Sequence, residues 1–312
     1  MARKILIISS DRSEKGLLQP IMDELEKRKD VEAKWFFPHI MHTVMLFPFI
    51  AFRSELQFFN PDIVLVACDR WEQLYATAYA FHNGYFLANL HAGNLGSDSP
   101  DEMNRRAISC FSHILLCNTQ KDKVNLMRLG EEEFRCKVVG STAFDHIEID
   151  ESLCPKEPYD LVLLHPDPLS EEQTKKDLDA TLDEISSTAL VYWLVPNRDK
   201  NYEIIQNCLD KAIHEDDQTK WKLYKPYIHV LGNLPRSQFL GLLKNCRRFL
   251  GNSSSQKYEA PRFLKAENII EIGTRNLNRP AIVPQVGGSK RIAEILATIP
   301  LDDKLRRKRF VI

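Results

Sequence analysis

Long apolar runs are absent from this sequence: the longest, residues 44–52, has nine residues and includes Pro48. A helix needs about 20 apolar residues to cross a bilayer, so no transmembrane segment is predicted. We expect this run to be buried core, with a subunit contact or a membrane-surface patch as the alternatives. The apolar stretch in residues 3–9 is too short for a secretion signal and better suits a first strand.

Paired cysteines and an excess of one charge are also absent. The seven cysteines are scattered without any C-x-x-C pair, which favours free thiols in a reducing cytoplasm over disulfides or a zinc site. No metal site is predicted. The formal net charge is -1, so bulk electrostatics does not indicate nucleic acid or a membrane as a partner. The basic run at residues 304–309 is expected to be a solvated face, with an anionic partner as the alternative.

Short apolar segments that suit buried strands alternate along the chain with amphipathic segments that suit helices. This order is typical of parallel sheets covered by helices on both faces. An acidic stretch with two prolines, residues 148–159, interrupts the alternation. The sequence therefore predicts an α/β protein with two doubly wound, Rossmann-like domains, residues 1–150 and 159–300, and a tail over 301–312. Because ligands of such sheets bind outside the carboxyl ends of strands, we expect functional residues directly after strands, facing a cleft between the domains.

The stretch GNSSSQKYEAP, which begins at Gly251, lies between a strand-like and a helix-like segment. Gly251 permits close approach of the backbone. Ser253, Ser254 and Ser255 offer hydroxyls beside free N–H groups at a helix start, where anions bind. If the helix begins near Ser255, Glu259 lies one turn along the same face, where its carboxylate can accept two hydrogen bonds from a ribose diol. The stretch therefore suits a nucleoside diphosphate, and a serine-rich helix cap is the alternative.

Two carboxylates lie where such a sheet would present them to a ligand. Asp69 and Arg70 directly follow an apolar strand, although an aspartate there is also a common turn residue. In SPDEMNRR, Ser99 and Glu102 suit a capping box, for which Asp101 is not needed. Asp101 either favours the helix dipole or acts on a substrate, and a carboxylate held ionised by a helix N-terminus suits a base better than an acid.

Histidines and arginines after other strands extend the set of candidates. His165 follows the first strand of the second domain and titrates near neutrality, and His91 follows a strand of the first domain. Guanidinium groups suit phosphate or carboxylate ligands, and the sequence offers Arg12, Arg275 and Arg279. Each of these is alternatively an ordinary turn residue or a solvated side chain.

Ten segments, in this order, resemble the UDP-N-acetylglucosamine 2-epimerase family, particularly its hydrolysing branch from sialic acid biosynthesis. They include SDRSEKGLLQP, PDIVLVACDR, SPDEMNRRAIS and LLHPDP, and the most specific part is GNSSS…EAP…IGTRNLNRP. Together they cover most of the chain. The resemblance implies the GT-B fold, in which two doubly wound domains hold a nucleotide sugar, with a UDP-sugar as substrate and no other cofactor.

The family reaction removes the proton at sugar C2 and expels UDP to give a glycal, to which water or UDP adds with inverted configuration at C2. A positioned base and a stabilised leaving group are its physical requirements. The resemblance implies which residues supply them. The catalytic positions are Asp69, Asp101 and His165; the phosphate contacts are Arg12 and Arg279; the diphosphate and ribose contacts are Ser253, Ser254 and Glu259.

Two features depart from the family's pattern. Neither His91 nor Asn94 is a carboxylate, although the family usually has an acid at one of these positions, so His91 is the remaining acid–base candidate there. The segment before PDIVLV is also shorter than in the family and is apolar and aromatic, and we expect a homodimer contact, if one forms, within residues 40–60. A GT-B glycosyltransferase and a non-catalytic nucleotide-sugar binder therefore stay as alternatives to an epimerase or hydrolase.

Overall fold

The computed structural model describes residues 2–10, 12–37, 46–67, 69–95, 101–146, 148–185, 190–214, 228–276 and 285–311, without the side chains of residues 12, 13, 46–49 and 212–214. Contacts within the chain divide it into two units. Unit 1 contains Met1–Leu95, Pro100–His146 and Pro284–Ile312, and unit 2 contains Gly96–Ser99 and Ile147–Val283.

Unit 1 is built on a six-stranded parallel sheet with the strand order β2-β1-β3-β4-β5-β6. Its strands are β1 (Arg3–Ile8), β2 (Val31–Phe36), β3 (Ile63–Ala67), β4 (Phe86–Leu90), β5 (Ile114–Cys117) and β6 (Cys136–Val138). The helices between them are α1 (Arg12–Glu26), α2 (Leu46–Phe59), α3 (Trp71–His82), α4 (Asp101–Phe111) and α5 (Gln120–Arg128).

Both faces of this sheet are covered by helices. Successive residues of β1 alternate between two hydrophobic clusters: Ile5 and Ile7 pack with α1, whereas Leu6 and Ile8 pack with α2, α3 and α4. Side chains of a strand point alternately to opposite faces, so a strand covered on both sides must be apolar throughout. β2 lies at the sheet edge and alternates between exposed and half-buried residues, which explains why the apolar-run pattern did not reveal it.

Unit 2 is built on a five-stranded parallel sheet with the order β11-β10-β7-β8-β9. Its strands are β7 (Tyr159–Leu163), β8 (Leu190–Leu194), β9 (Ile228–Leu231), β10 (Arg248–Gly251) and β11 (Ile269–Glu271). Its helices are α6 (Glu171–Glu184), α7 (Tyr202–His214), α8 (Arg236–Asn245) and α9 (Ser255–Tyr258). The order reverses between β7 and β10, which makes their carboxyl ends a topological switch point.

The chain returns to unit 1 after unit 2. Helices α10 (Gly288–Thr298) and α11 (Asp303–Arg306) follow, and Ile292 and Leu296 share a hydrophobic cluster with Leu18 of α1. The sequence assigns residues up to 300 to the second domain, whereas the contacts group everything from Pro284 onwards with unit 1.

The basic run that follows is also used within unit 1. Arg306 donates a hydrogen bond to the Gly84 carbonyl at 2.6 Å, and its guanidinium lies 4.2 Å from the ring centre of Phe86. Lys308 pairs with Glu131 at 2.9 Å, and its side chain is only 10% exposed. The expectation of a solvated basic face is therefore wrong at Lys308. Its ammonium group is buried, and a buried charge requires a paired partner, which Glu131 supplies.

The apolar run at residues 44–52 extends into α2. Residues 38–45 lie outside the described part of the chain. Phe52 is buried in the core, as expected, but Ile50 is 55% exposed and Phe58, further along α2, is 87% exposed. Among the described helices, none has the length and apolar content that crossing a bilayer requires.

Candidate functional site

In unit 2, three predicted segments follow neighbouring strands at one edge of the sheet. Leu163 of β7 is paired with Gly251 of β10, and β10 is paired in turn with β11. His165, Ser253 and Arg275 each follow one of these strands within four residues. The parallel sheet therefore brings these three residues to its carboxyl edge, at the switch point where ligands of doubly wound sheets bind.

Gly251 is required for this approach of β10 to β7. Its φ is +136°, and a Cβ atom at this position would overlap the Leu163 carbonyl. Glycine alone tolerates both conditions, which confirms the close backbone approach expected at Gly251.

Asn252, which the sequence did not single out, fixes the backbone of His165. Its Oδ1 accepts a hydrogen bond from the His165 N–H at 2.7 Å, and its Nδ2 donates to the His165 carbonyl at 2.9 Å. Asn276 donates in turn to the Asn252 carbonyl at 2.6 Å. Asn252 is 2% exposed, so these bonds form in a region of low dielectric where a fully paired network is rigid.

His165 lies beside a guanidinium. Burial and the charge of Arg275 together lower the pKa of His165 to about 3. The expectation that His165 titrates near neutrality is therefore wrong, and its imidazole is neutral at physiological pH. Its Nδ1 is buried without a hydrogen-bond partner among the described residues. Arg275 donates a hydrogen bond to the Pro166 carbonyl at 3.0 Å, and it lines a small polar pocket together with Gln173 and Thr274.

The serine triplet starts a helix as predicted, but the helix is short. α9 begins at Ser255, contains four residues and is followed by a 3-10 turn, Ala260–Arg262. The dipole of one helical turn is small, so any anion here would depend mainly on hydroxyls and on individual N–H groups. Ser253 is 4% exposed, and its hydroxyl accepts a hydrogen bond from the Ser255 N–H at 3.3 Å.

Glu259 lies one turn after Ser255, as expected. Its Oε1 is 3.3 Å from the Nη2 of Arg236 on α8, a residue that the sequence did not single out. Burial raises the pKa of the Glu259 carboxyl, and Arg236 opposes that shift.

In unit 1, Asp69 and His91 follow adjacent strands: Ala67, the last residue of β3, is paired with Leu90, the last residue of β4. Both side chains therefore belong to the carboxyl edge of this sheet. His91 has a φ of +60°, a left-handed conformation that costs a non-glycine residue about 1–2 kcal/mol and is enriched at functional sites.

Asp69 is paired with Arg105 of α4, a contact that the sequence did not reveal. Arg105 donates to Asp69 Oδ2, and its other nitrogen donates to Glu102 at 3.2 Å. Asp101, the first residue of α4, lies four residues before Arg105 and therefore on the same helix face. Arg105 is 5% exposed. The ion pair fixes α4 beside the turn that carries Asp69.

Glu14, like Asn252 and Arg236, was not singled out by the sequence. Its Oε2 accepts hydrogen bonds from the Ser10 N–H at 2.6 Å, the Ser10 hydroxyl at 2.8 Å and Gln73 Nε2 at 2.9 Å. It therefore joins the turn after β1 to the first turn of α3. Burial raises the pKa of Glu14 to about 7.

Two predicted phosphate contacts lie outside the side chains that the structure describes. Arg12 begins α1, but its side chain lies outside the described part of the structure, as does the whole of Arg279. Their roles stay predictions.

Comparison with known proteins identifies the family. The family model described as UDP-N-acetylglucosamine 2-epimerase matches residues 41–295. The chain belongs to this family. The prediction of a nucleotide-sugar enzyme resembling UDP-N-acetylglucosamine 2-epimerases is thereby confirmed.

Two relatives of this epimerase-family protein have names that specify hydrolysis. It is 25% identical to the UDP-N,N'-diacetylbacillosamine 2-epimerase (hydrolyzing) of Legionella pneumophila, over 88% of this chain and 82% of the relative. It is 30% identical to the GDP/UDP-N,N'-diacetylbacillosamine 2-epimerase (hydrolyzing) of Campylobacter jejuni, over 75% of this chain and 62% of the relative.

Solved structures of epimerases share the fold. The UDP-GlcNAc 2-epimerase from Neisseria meningitidis bound to UDP-GlcNAc has a TM-score of 0.71 at 16% identity, covering 94% of this chain and 99% of that one. The Methanocaldococcus jannaschii enzyme in complex with UDP-GlcNAc and UDP has a TM-score of 0.68 at 20% identity, with the same coverage. The α/β fold class, two parallel-sheet units of the GT-B-like type, is confirmed.

Proposed function

We propose that this protein is a hydrolysing 2-epimerase of a UDP-linked 2-acetamido sugar. A base removes the C2 proton, the C1–O bond breaks with release of UDP, and the glycal forms. Water then adds its oxygen to C1, and a proton adds to C2 from the opposite face. Family membership supports the reaction class, and two relatives named as hydrolysing enzymes support water as the acceptor.

The nucleotide is assigned to unit 2, and one observation carries this assignment: the register of β7 and β10 brings His165 and the serine triplet to the switch point. We propose that Ser253, Ser254, Ser255 and Arg275 bind the diphosphate, which becomes the leaving group, and that Glu259 accepts hydrogen bonds from the ribose. Charge-assisted hydrogen bonds to a diphosphate strengthen as negative charge develops on it. Arg12 and Arg279 are proposed as further phosphate contacts.

The two proton transfers at C2 are assigned to unit 1 and to His165. Inversion requires one group to remove a proton and another to deliver one. Asp69 and Asp101 are the proposed carboxylates, since Arg105 couples α4 to the turn after β3. His91 replaces the carboxylate that the family usually has at this edge, and it is our proposed second proton carrier. His165, a neutral imidazole beside Arg275, is the one catalytic candidate in unit 2, and it follows β7 at the switch point to which the nucleotide is assigned.

The test is proton NMR in deuterated water with UDP-N-acetylglucosamine and, separately, with UDP-N,N'-diacetylbacillosamine, which share the C2 acetamido group. We expect one of them to release UDP and a 2-epimeric sugar that carries deuterium at C2. Release of UDP only after an acceptor is added would indicate a glycosyltransferase, and binding without turnover would indicate a nucleotide-sugar binder. Asp69→Asn should lower the rate by about 10²–10⁴-fold, whereas Glu26→Gln, at an exposed position of α1, should not change it.

We further propose that the reaction needs no cofactor and that the UDP-sugar is its substrate, because elimination and hydration require only proton transfer and a stabilised leaving group. Activity should therefore survive dialysis against EDTA.

A cytoplasmic location is proposed from the scattered cysteines, six of which are described and free, and cell fractionation tests it.

A homodimer contact through α2 is proposed from its exposed apolar residues. Ile50 and Phe58 lie eight residues apart, two turns along one helix face, and are 55% and 87% exposed. Sedimentation velocity should show a dimer for the wild type and a monomer for Phe58→Glu.

A further inference from the structure

Arg236 and Glu259, which lie in different elements of unit 2, form an ion pair in which Glu259 is the buried member. Nη2 of Arg236 lies 3.3 Å from Oε1 of Glu259; the side chain of Glu259 is 9% exposed and that of Arg236 is 30% exposed. The hydroxyl of Ser255 also hydrogen-bonds to this carboxylate. A carboxylate this buried is costly unless it is paired and hydrogen-bonded.

Hydrophobic packing sets the distance between Arg236 and Glu259. Arg236 is the first residue of α8, and Leu240 of the same helix is buried in one cluster with Ala260, the residue that follows Glu259. Packing of these two apolar residues therefore fixes the distance between the start of α8 and the turn that carries Glu259. A guanidinium fork placed on a rigid helix loses little freedom when it binds a carboxylate.

We propose that Arg236 is a positioning residue which, by holding Oε1 of Glu259, orients that carboxylate toward the ribose hydroxyls and so determines the preference of the enzyme for ribonucleotides. This inference rests on the proposed function, because it takes Glu259 as the ribose contact. Arg236 acts through Glu259 and is not itself assigned a contact with the substrate.

The chemistry follows from how a carboxylate recognises a diol. A carboxyl group accepts hydrogen bonds from two ribose hydroxyls on both of its oxygens only when the group is ionised and its plane is fixed. Burial raises the pKa of Glu259, and the Arg236 charge opposes this, so Arg236 supports the form that accepts both hydrogen bonds. Without Arg236 only the Ser255 hydrogen bond holds the plane of the carboxylate, and the group is protonated more readily. Most of the advantage of the ribose hydroxyls is therefore lost.

The experiment measures dissociation constants for UDP and 2′-deoxy-UDP by calorimetry. One charge-assisted hydrogen bond corresponds to about 10–100-fold in affinity, so the wild type should prefer UDP by roughly this factor. In Arg236→Met we expect the preference to fall below about 3-fold, chiefly through weaker UDP binding. Arg236→Lys, which keeps the charge, should restore part of it. Lys265→Met removes an exposed cation of the same unit, 81% exposed, and should leave both constants unchanged.

A double-mutant cycle separates action through Glu259 from a general effect of charge. In a Glu259→Gln background, Arg236→Met should cause no further loss of preference for UDP. Arg236→Gln serves as the second variant if thermal unfolding shows that the methionine variant does not fold.

Two outcomes overturn the inference: an unchanged preference for UDP in Arg236→Met and Arg236→Gln, which includes an equal loss of affinity for both nucleotides, or additivity of Arg236→Met with Glu259→Gln. If either outcome occurs while the wild type still binds UDP, the proposed function is retained and only the positioning role of Arg236 is rejected. If the wild type binds neither nucleotide, the assignment of unit 2 to the nucleotide falls first.

Discussion

Arg105, a buried residue in the second turn of α4, donates a hydrogen bond to Asp69, which follows β3. The side chain of Arg105 is 6% exposed and that of Asp69 is 23% exposed. One ion pair thus connects the two carboxylate-bearing segments of unit 1. Positioning of this kind matters for catalysis, because a misplacement of 1 Å can cost about 10²-fold in rate.

Replacing Arg105 should therefore separate catalysis from nucleotide binding. We expect Arg105→Met to lower the rate of C2 deuteration by about 100-fold or more and to leave the affinity for UDP within about 2-fold, since the nucleotide is assigned to unit 2. Arg106→Met is the matched control, because its side chain is 45% exposed. Loss of UDP binding in Arg105→Met would contradict this division of roles.

The serine triplet should contribute to diphosphate binding through its hydroxyls. Ser254→Ala should weaken UDP binding by about 3–10-fold, the value of one hydrogen bond. Calorimetry of Ser254→Ala beside Ser152→Ala, an exposed serine of the same unit, provides the comparison. An unchanged dissociation constant for Ser254→Ala would remove the hydroxyl from the phosphate site.

Gly251 should be intolerant of any side chain. Its positive φ and the position of the Leu163 carbonyl predict that Gly251→Ala lowers the free energy of unfolding by about 2 kcal/mol or more. Gly232→Ala is the control, because a Cβ there meets no atom within 4 Å. Urea unfolding of both variants decides the matter, and equal midpoints would show that the approach of β10 to β7 is looser than described.

Glu14 should make stability depend on pH near neutrality. Its pKa is raised from 4.5 to about 7 by burial, so the folded state binds its proton more tightly than the unfolded state does. The sign is therefore the reverse of the usual carboxylate: stability is lost as the pH rises from about 4.5 to 7. We expect the unfolding free energy of Glu14→Gln, measured relative to wild type, to be higher at pH 8 than at pH 5 by an amount of the order of 1–3 kcal/mol.

Chemical denaturation at the two pH values checks this expectation. Glu26→Gln, on an exposed position of the same helix, should show the same difference from wild type at both. If Glu14→Gln behaved like this control, the carboxyl would not be titrating in the folded protein.

The sequence predicted the described strands except β2, and the sheet edges at which the candidate residues lie, because a strand buried on both faces must be apolar throughout. Asp69, His91 and His165 were found in this way, since each is a polar residue directly after such a run. The serine-rich stretch also suggested a helix start near Ser255, which would put Glu259 one turn on, and α9 does begin at Ser255.

What the sequence could not show is which distant residues hold the candidates in place. Arg105 is 36 residues from Asp69, Gln73 is 59 residues from Glu14, and Asn252 is 87 residues from His165. Such pairs depend on how the strands are ordered in a sheet, and the spacing of residues along one chain does not encode that order. For the pair between Arg105 and Asp69, the one signal in the sequence was the position of Arg105, four residues after Asp101 in SPDEMNRR.

The return of α10 to unit 1 has a consequence for biosynthesis. Ile292 and Leu296 complete the packing around Leu18, yet they are translated only after all of unit 2. During synthesis, the apolar cluster between α1 and the amino-terminal sheet therefore stays partly exposed until α10 has left the ribosome. We expect a nascent chain paused near residue 283 to bind chaperones, and we expect the sheet of unit 2, which is complete at that point, to fold before that of unit 1.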